Sequence, residues 1–157
     1  MTPDTPPNKI PWPPIILVSG IAAGFVLRAI WPLPWTVGAA RDVLQGVGVV
    51  LVIVAILLIL LSIRELRNHK TTVNPTGKST HLVTSGPFAF SRNPIYLSNM
   101  LLISGLGLAT SNAWMLLIAA VTGVLEHRFA ILREERHLEA RFGKAWRDYA
   151  KRVRRWV

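Results

Sequence analysis

The stretch NPIYLSNMLLISGLGLATSNAWMLLIAAVTGVL, residues 93–125, runs for thirty-three residues without a charged side chain. This length suits two short apolar helices that are joined by a turn and inserted in a bilayer. The polar residues 110–112 near its middle are typical of a turn. Charged motifs flank the stretch, at Arg92 before it and at residues 133–136 after it. A chain that runs out and back brings both motifs to one membrane face, so we predict a helical hairpin with a polar site at its open end.

Two further apolar stretches precede the hairpin. Residues 15–30 and 43–63 each predict a membrane-spanning helix, and the second would be about 30 Å long, which matches the hydrocarbon core. The composition agrees, since 51% of the residues are hydrophobic and the mean hydropathy is +0.39. We predict an all-α integral membrane protein with about four transmembrane helices and a cytoplasmic amphipathic C-terminal helix. Residues 1–157 form a single membrane domain in this interpretation.

The positive charges indicate which face of the membrane is cytoplasmic. The formal net charge is +10, and sixteen of the eighteen Lys and Arg residues are Lys9 or lie in residues 64–92 and 128–155. Only Arg28 and Arg41 lie elsewhere, and this asymmetry is the positive-inside pattern. We therefore predict that both termini and the polar site are cytoplasmic. The charge favours anionic membrane headgroups as partners, and we predict no nucleic-acid partner.

The C-terminal segment has the periodicity of an amphipathic helix. Its apolar residues recur at spacings of three and four, with basic residues between them. Gly143 lies inside this pattern and predicts a division into two helices. The apolar positions are Leu138, Phe142, Trp146, Tyr149, Val153 and Trp156.

Several kinds of site are excluded or disfavoured by composition. The chain has no cysteine, which excludes disulfides, thiolate metal sites and a cysteine nucleophile. The four histidines lack zinc-ligand spacing with Cys or Asp support. Glu134 and His137 make one half of a di-metal carboxylate motif, and no second copy exists. We predict no metal site.

Four short motifs follow one another in the second half of the chain: LVTSGPF (82–88), SRNPIY (91–96), REER (133–136) and FG (142–143). In this order and spacing they resemble the membrane methyltransferases typified by isoprenylcysteine carboxyl methyltransferase, to which phospholipid N-methyltransferases are related. The similarity covers about residues 70–157. It implies S-adenosyl-L-methionine as the methyl donor, held between the loop before the hairpin and the Glu pair after it. Residues 1–63 would then supply two N-terminal spans and residues 64–157 the methyltransferase core.

The resemblance implies a set of cofactor contacts, carried over position by position. It assigns them to the loop before the hairpin, to the start of the third helix and to one glutamate after the hairpin. The residues are Thr80, His81, Leu82, Val83, Phe88, Asn93, Pro94, Ile95, Tyr96 and Glu134.

This chain departs from the family pattern at three positions. Asn93 stands in place of the usual His, and Val73 stands where some members have a polar contact. Ala130 stands where the prenylcysteine enzymes have a substrate-binding Arg, so a prenylcysteine carboxylate is a less favoured acceptor. Arg92 and Arg133 are the candidate substrate contacts, and we assign no general base.

The residue types also suit S-adenosyl-L-methionine by their own chemistry. The residues Asn93 and Pro94 favour a helix start, whose free N–H groups suit a carboxylate. Phe88 and Tyr96 can stack on adenine or face a sulfonium. Glu134 can accept hydrogen bonds from ribose hydroxyls or from the amino group.

Each of these side chains also has a purely structural interpretation. Arg92 would be an anchor of membrane topology, while Phe88 and Tyr96 would be aromatic residues of the membrane interface. Glu134 and Glu135 would lie on a solvated helix face. The arrangement of all of them around one uncharged hairpin favours the functional interpretation.

The sequence therefore predicts S-adenosyl-L-methionine-dependent methyl transfer to a lipophilic acceptor at the cytoplasmic membrane face. The acceptor is left open among a prenylated thiol or carboxylate, a phospholipid amine and a small hydrophobic molecule. Two alternatives stay open, a sterol-reductase-like NADPH-dependent membrane reductase and a non-catalytic lipid-binding membrane protein. The oligomeric state is not predicted.

Overall fold

The computed structural model describes residues 10–71 and 80–157. Every regular element in these ranges is helical, which confirms the prediction of an all-α protein. The sequence NPTG at residues 74–77 predicts a turn. This turn and the departure at Val73 lie outside the described residues. The helices are α1 (Trp12–Ile30), α2 (Ala39–Asn68), a 3₁₀ turn (Gly86–Ala89), α3 (Pro94–Ala109), α4 (Ala113–Glu126), a π-helical turn (His127–Ile131), α5 (Leu132–Phe142) and α6 (Lys144–Arg152).

The predicted hairpin is formed by α3 and α4. Pro94 occupies the first turn of α3, where a missing N–H costs nothing. Between the two helices, Ser111 has a positive φ of 53°, and the Asn112 N–H donates to the Gly107 carbonyl over 2.7 Å. These contacts reverse the chain within three residues, as the sequence predicts.

The helix after this turn is longer than the uncharged stretch. It continues from α4 through the π-helical turn into α5, so that Ala113–Phe142 is one continuous helix. The extension ends at Gly143, whose φ of 51° lies in the left-handed region that favours glycine. The predicted division of the C-terminal segment at this residue is confirmed.

Three helical segments are long and apolar enough to cross a membrane: Trp12–Ile30, Ala39–Asn68 and the continuous Ala113–Phe142. Pro94–Ala109 is apolar but has only 16 residues. Large apolar side chains cover the outside of α1 and α2, as expected for surfaces that face lipid. The predicted membrane class is confirmed, with three candidate spans and one shorter apolar helix in the described residues.

Glycines allow α2 and α3 to approach closely. A Cβ added at Gly48 would lie 2.7 Å from the Gly105 carbonyl oxygen, and one at Gly105 would lie 2.9 Å from the Gly48 carbonyl oxygen. Small residues at a contact of this kind let helix backbones pack directly against each other. Helix α3 also packs on α4, and α4 packs on α1, with Ile103, Met115 and Ala119 buried between them.

Replacing Gly48 by valine is expected to destabilise the protein. The new Cβ would lie 2.8 Å from the Leu108 Cβ as well as against Gly105, and overpacking of this kind costs about 1–3 kcal/mol. Gly46→Val is the matched control, because nothing lies within 4 Å of a Cβ at Gly46. Thermal unfolding of both variants in detergent tests this, and equal melting temperatures would contradict the packing argument.

Candidate functional site

A hydrogen bond joins the two sides of the hairpin at its open end. The Tyr96 hydroxyl, on the first turn of α3, donates to Glu134 Oε2 over 2.8 Å, on the first turn of α5. Tyr96 is 6% exposed and Glu134 is half-buried. Two predicted site residues that are 38 positions apart in sequence therefore lie in direct contact.

The π-helical turn packs directly beside this hydrogen bond. Ala130 and Ile131 are fully buried and form a cluster with Tyr96, against which Trp156 packs. A π-helical turn carries an additional residue in a helix and often occurs at functional sites. The cluster gives the Tyr96–Glu134 pair an apolar wall.

A second cluster is centred on Glu135. Arg155 donates to both carboxylate oxygens of Glu135, from Nε over 3.0 Å and from Nη2 over 2.7 Å. Arg92 Nη2 lies 3.3 Å from the same carboxylate, and its guanidinium lies 5.6 Å from the centre of the Trp146 ring. The hydrogen bonds from Arg155 to Glu135 raise the pKa of the Arg155 guanidinium. Arg92, a candidate substrate contact, is therefore held by an ion pair and an aromatic ring.

The segment after α6 covers the start of α3. The backbone N–H of Arg92 donates to the Arg154 carbonyl over 3.0 Å. The Asn93 side-chain amide donates to the Arg155 carbonyl over 3.1 Å. Asn93 is buried and its side chain makes no helix-capping hydrogen bond. Asn93 therefore occupies the N-cap position of α3 as predicted, but its side chain donates to the backbone of the tail and makes no capping hydrogen bond.

Tyr149 fastens the tail to the loop before the hairpin. Its hydroxyl donates to the Phe88 carbonyl over 2.7 Å. Burial raises the pKa of the Tyr149 hydroxyl to about 12, against a lowering by nearby Arg92. The hydroxyl therefore stays protonated as a donor at neutral pH, and α6 is held against the half-buried Phe88.

The loop residues predicted as cofactor contacts are anchored at the end of α2. The Thr80 N–H donates to Thr71 Oγ1 over 3.0 Å, and the Thr80 hydroxyl donates to the Lys70 carbonyl over 2.9 Å. The His81 N–H also donates to Thr71 Oγ1, over 3.4 Å. Val83 is buried and Leu82 is half-buried. Apart from a contact between their own side chains, the hydrogen bonds described for Thr80 and His81 run to Lys70 and Thr71, just after α2, rather than to the Tyr96–Glu134 pair.

A buried carboxyl group lies inside the hairpin. Glu126 is fully buried, and the Asn99 side chain donates to its Oε1 over 2.6 Å. Its Oε2 has no hydrogen-bond partner among the described residues. Asn99 follows Tyr96 by three positions on α3, so the Asn99–Glu126 pair lies about one turn deeper in the hairpin.

Comparison with known proteins identifies the family of this chain. Residues 44–145, well over half of the chain, match the family model described as phospholipid methyltransferase. The chain belongs to the phospholipid methyltransferase family. The match covers α2, the loop, the hairpin and α5. It confirms the resemblance to membrane methyltransferases inferred from the four motifs.

Curated relatives of this member of the phospholipid methyltransferase family carry other names. The chain is 40% identical over 76 residues to the nickel-cobalt-cadmium resistance protein NccN of Alcaligenes xylosoxydans xylosoxydans, which covers 48% of the chain and 35% of that protein. It is 36% identical over 76 residues to the cobalt-zinc-cadmium resistance protein CzcN of Cupriavidus metallidurans, with the same coverage. The chain thus spans about a third of the length of these relatives.

A third relative is matched along its whole length. An uncharacterized protein of Haemophilus influenzae is 38% identical over 65 residues, which are 40% of the chain and 100% of that protein.

In residues 10–71 and 80–157, no group of three or more His, Cys, Asp or Glu residues could hold a metal ion.

Sequence reasoning missed Glu126 and Asn99 as candidate functional residues. Glu126 directly follows the uncharged stretch 93–125, and it lies inside the continuous helix Ala113–Phe142. An ionisable residue inside a candidate membrane span is by default a functional candidate. The signal was therefore present in the sequence, but its burial and its partner Asn99 required the structure.

Proposed function

We propose that this chain is an S-adenosyl-L-methionine-dependent methyltransferase that methylates a lipophilic acceptor at the cytoplasmic face of the membrane. The observation that carries the proposal is the hydrogen bond between Tyr96 and Glu134, which closes one site from the two motifs beside the hairpin. Membership of the phospholipid methyltransferase family supports it. The concentration of sixteen of the eighteen Lys and Arg residues in three places supports the cytoplasmic assignment.

The side chains around this pair fit S-adenosyl-L-methionine. When bound, that molecule supplies an electrophilic methyl group on a sulfonium. The Glu134 carboxylate has lone pairs beyond the one used by Tyr96, and these can accept from ribose hydroxyls or from an amino group. Trp156, which packs against Tyr96 and is only half-buried, offers an aromatic face for adenine or for a cation.

Positioning is the main catalytic contribution that these residues can make. Tyr96 fixes the direction of the Glu134 carboxylate, and the buried Ala130 and Ile131 exclude water from one side of the pair. Aligning two reactants in a water-poor site can lower a barrier by up to about 7–11 kcal/mol. No side chain needs to act as a nucleophile for such a transfer.

The charges near the site favour an amine acceptor over a carboxylate. Glu126 and Glu134 both present carboxyl groups on the helix after the turn, and Ala130 supplies no positive charge between them. The nearby Arg92 and Arg155 are both bound to Glu135. An anionic headgroup would therefore meet acidic side chains without help from Arg92 or Arg155, whereas an amine would not be repelled.

A transfer assay with labelled donor tests the proposal. Purified protein in nanodiscs is supplied with S-adenosyl-L-methionine carrying a labelled methyl group and with long-chain lipids that end in an amine, a carboxylate or a thiol. We expect label in the amine lipid, and about tenfold weaker donor binding in Tyr96→Phe, which is about 1.4 kcal/mol. Binding of NADPH without binding of the methyl donor would instead identify a reductase. Binding of lipid alone would identify a lipid-binding protein.

A further inference from the structure

A polar cavity lies at the end of the helices opposite the Tyr96–Glu134 pair. Its volume is about 290 Å³, and it is lined by the segment between α1 and α2 and by the turn between α3 and α4. Helix α3 separates the two ends by about 24 Å at 1.5 Å per residue. The polar lining residues are Arg28, Trp35, Thr36, Arg41, Ser111 and Asn112.

The two arginines in this lining are the ones that the charge pattern leaves unexplained. All other Lys and Arg residues are Lys9 or lie in residues 64–92 and 128–155. Arg28 donates to the Thr110 carbonyl, and neither arginine forms a described ion pair with an acid, although Asp42 follows Arg41 in α2. Positive charge on this side opposes the topology preference of the chain. A binding role accounts for its presence here.

Two buried polar atoms in the same lining lack partners. The Trp35 Nε1 donor and the Asn112 Oδ1 acceptor have no hydrogen-bond partner in the part of the chain that the structure describes. Asn112 is 2% exposed, and its Nδ2 is already used by the Gly24 carbonyl over 2.9 Å. A buried unpaired polar group costs about 1–3 kcal/mol. Both residues line the cavity, so a ligand bound there could complete these atoms after a small rotation of their side chains.

The donors match the chemistry of a phosphate. Two guanidinium groups, the indole N–H of Trp35 and the hydroxyl of Ser111 all line one space, and arginine pairs well with phosphate oxygens. The cavity also adjoins the N-terminus of α2, which has no side-chain cap and carries the positive end of the helix dipole. The Asn112 Oδ1 atom adds an acceptor, which suits a hydroxyl or ammonium group next to the phosphate.

The surroundings indicate that the phosphate belongs to a lipid. Trp31 is 71% exposed and Val37 is 82% exposed at the rim, beside the exposed Ile30. Exposed tryptophan and aliphatic side chains beside a polar cavity are typical of the membrane interface, where a headgroup and its acyl chains lie together. A site for a soluble phosphate would not need this apolar rim.

We propose that this cavity binds the phosphate of a phospholipid headgroup in the leaflet opposite the candidate methyl-transfer site. The lipid would neutralise Arg28 and Arg41 and satisfy the buried Trp35 N–H. It would hold the segment between α1 and α2 against the turn of the hairpin. This cavity is separate from the proposed methyl-transfer site. A test of lipid binding here is therefore independent of any test of methyl transfer.

Native mass spectrometry of the delipidated full chain tests the proposal. Phosphatidylglycerol, diacylglycerol and inorganic phosphate are added separately. We expect one tightly bound phosphatidylglycerol, no retained diacylglycerol, and no competition by millimolar phosphate. The double variant Arg28→Gln/Arg41→Gln should bind that lipid at least tenfold more weakly. Trp35→Phe keeps the charges and should weaken binding several-fold, which guards against misfolding of the double variant.

The matched control is Arg136→Gln/Arg152→Gln, which removes two exposed arginines from the basic tail. It should keep the tightly bound lipid. Equal binding by wild type, by Arg28→Gln/Arg41→Gln and by Trp35→Phe would overturn the proposal. Binding of inorganic phosphate with the same arginine dependence would overturn the assignment to a lipid.

Discussion

Replacing Glu134 by glutamine is expected to lower both donor affinity and the rate of methyl transfer by about ten- to a hundredfold. The substitution keeps the size of the side chain but removes its charge, and a hydrogen bond to a charged group is worth about 1.5–3 kcal/mol. The effect arises because Glu134 is the carboxylate that Tyr96 orients from across the hairpin. Calorimetry with S-adenosyl-L-methionine and initial rates with labelled donor measure the two quantities.

Glu139→Gln provides the control for this experiment. Glu139 lies on the same helix, but its side chain is 51% exposed and its pairing with Arg147 is a long one of 3.8 Å. We expect its affinity and rate to stay within twofold of wild type. Full affinity and rate in Glu134→Gln would place the donor elsewhere in the protein.

Replacing Glu135 by glutamine is expected to destabilise the fold by about 3 kcal/mol. The Glu135 and Arg92 side chains are each only 13% exposed, and removing one partner of a buried ion pair typically costs about 3–5 kcal/mol. The lower end of this range applies because Arg155 is 33% exposed and can be partly solvated. Unfolding of the purified protein in detergent, followed by heat or denaturant, measures the loss.

The Glu139→Gln variant again serves as the control, since exposed ion pairs contribute about 0–1 kcal/mol. Limited proteolysis adds a second measurement, because Glu135 holds the tail at Arg155. We expect faster cleavage after residue 150 in Glu135→Gln than in the control. Equal stability and equal cleavage in the two variants would show that the Glu135 cluster does not hold the tail.

The hairpin and the membrane class were accessible from sequence because they depend on local properties. An uncharged run, a polar turn and Pro94 at a helix start constrain the chain within a few residues. For this reason the predicted bounds of α3 and the start of α4 agree with the structure. The meeting of Tyr96 and Glu134 also followed, because a hairpin forces its two open ends together.

The contacts of the tail were not accessible in this way. The neighbouring residues predict that the Asn93 side chain caps α3. Instead, this side chain donates to the Arg155 carbonyl, which lies 62 positions away. The pattern of apolar residues predicted two C-terminal helices without indicating where they would dock. The ion pair between Arg92 and Glu135 was likewise not accessible, because it depends on how α5 is rotated against α3.

The short length of α3 affects the depth at which chemistry takes place. Its 16 residues give about 24 Å, whereas the hydrocarbon core of a typical bilayer is about 30 Å thick. Where this helix meets lipid, the bilayer must thin or the ends of the helix must sink below the headgroup layer. Under the proposed function, bilayer thickness becomes a variable of the reaction, because it sets how far a headgroup descends to meet the Tyr96–Glu134 pair. Thinner membranes should shorten that descent, and the composition of the surrounding lipid would regulate turnover without any bound effector.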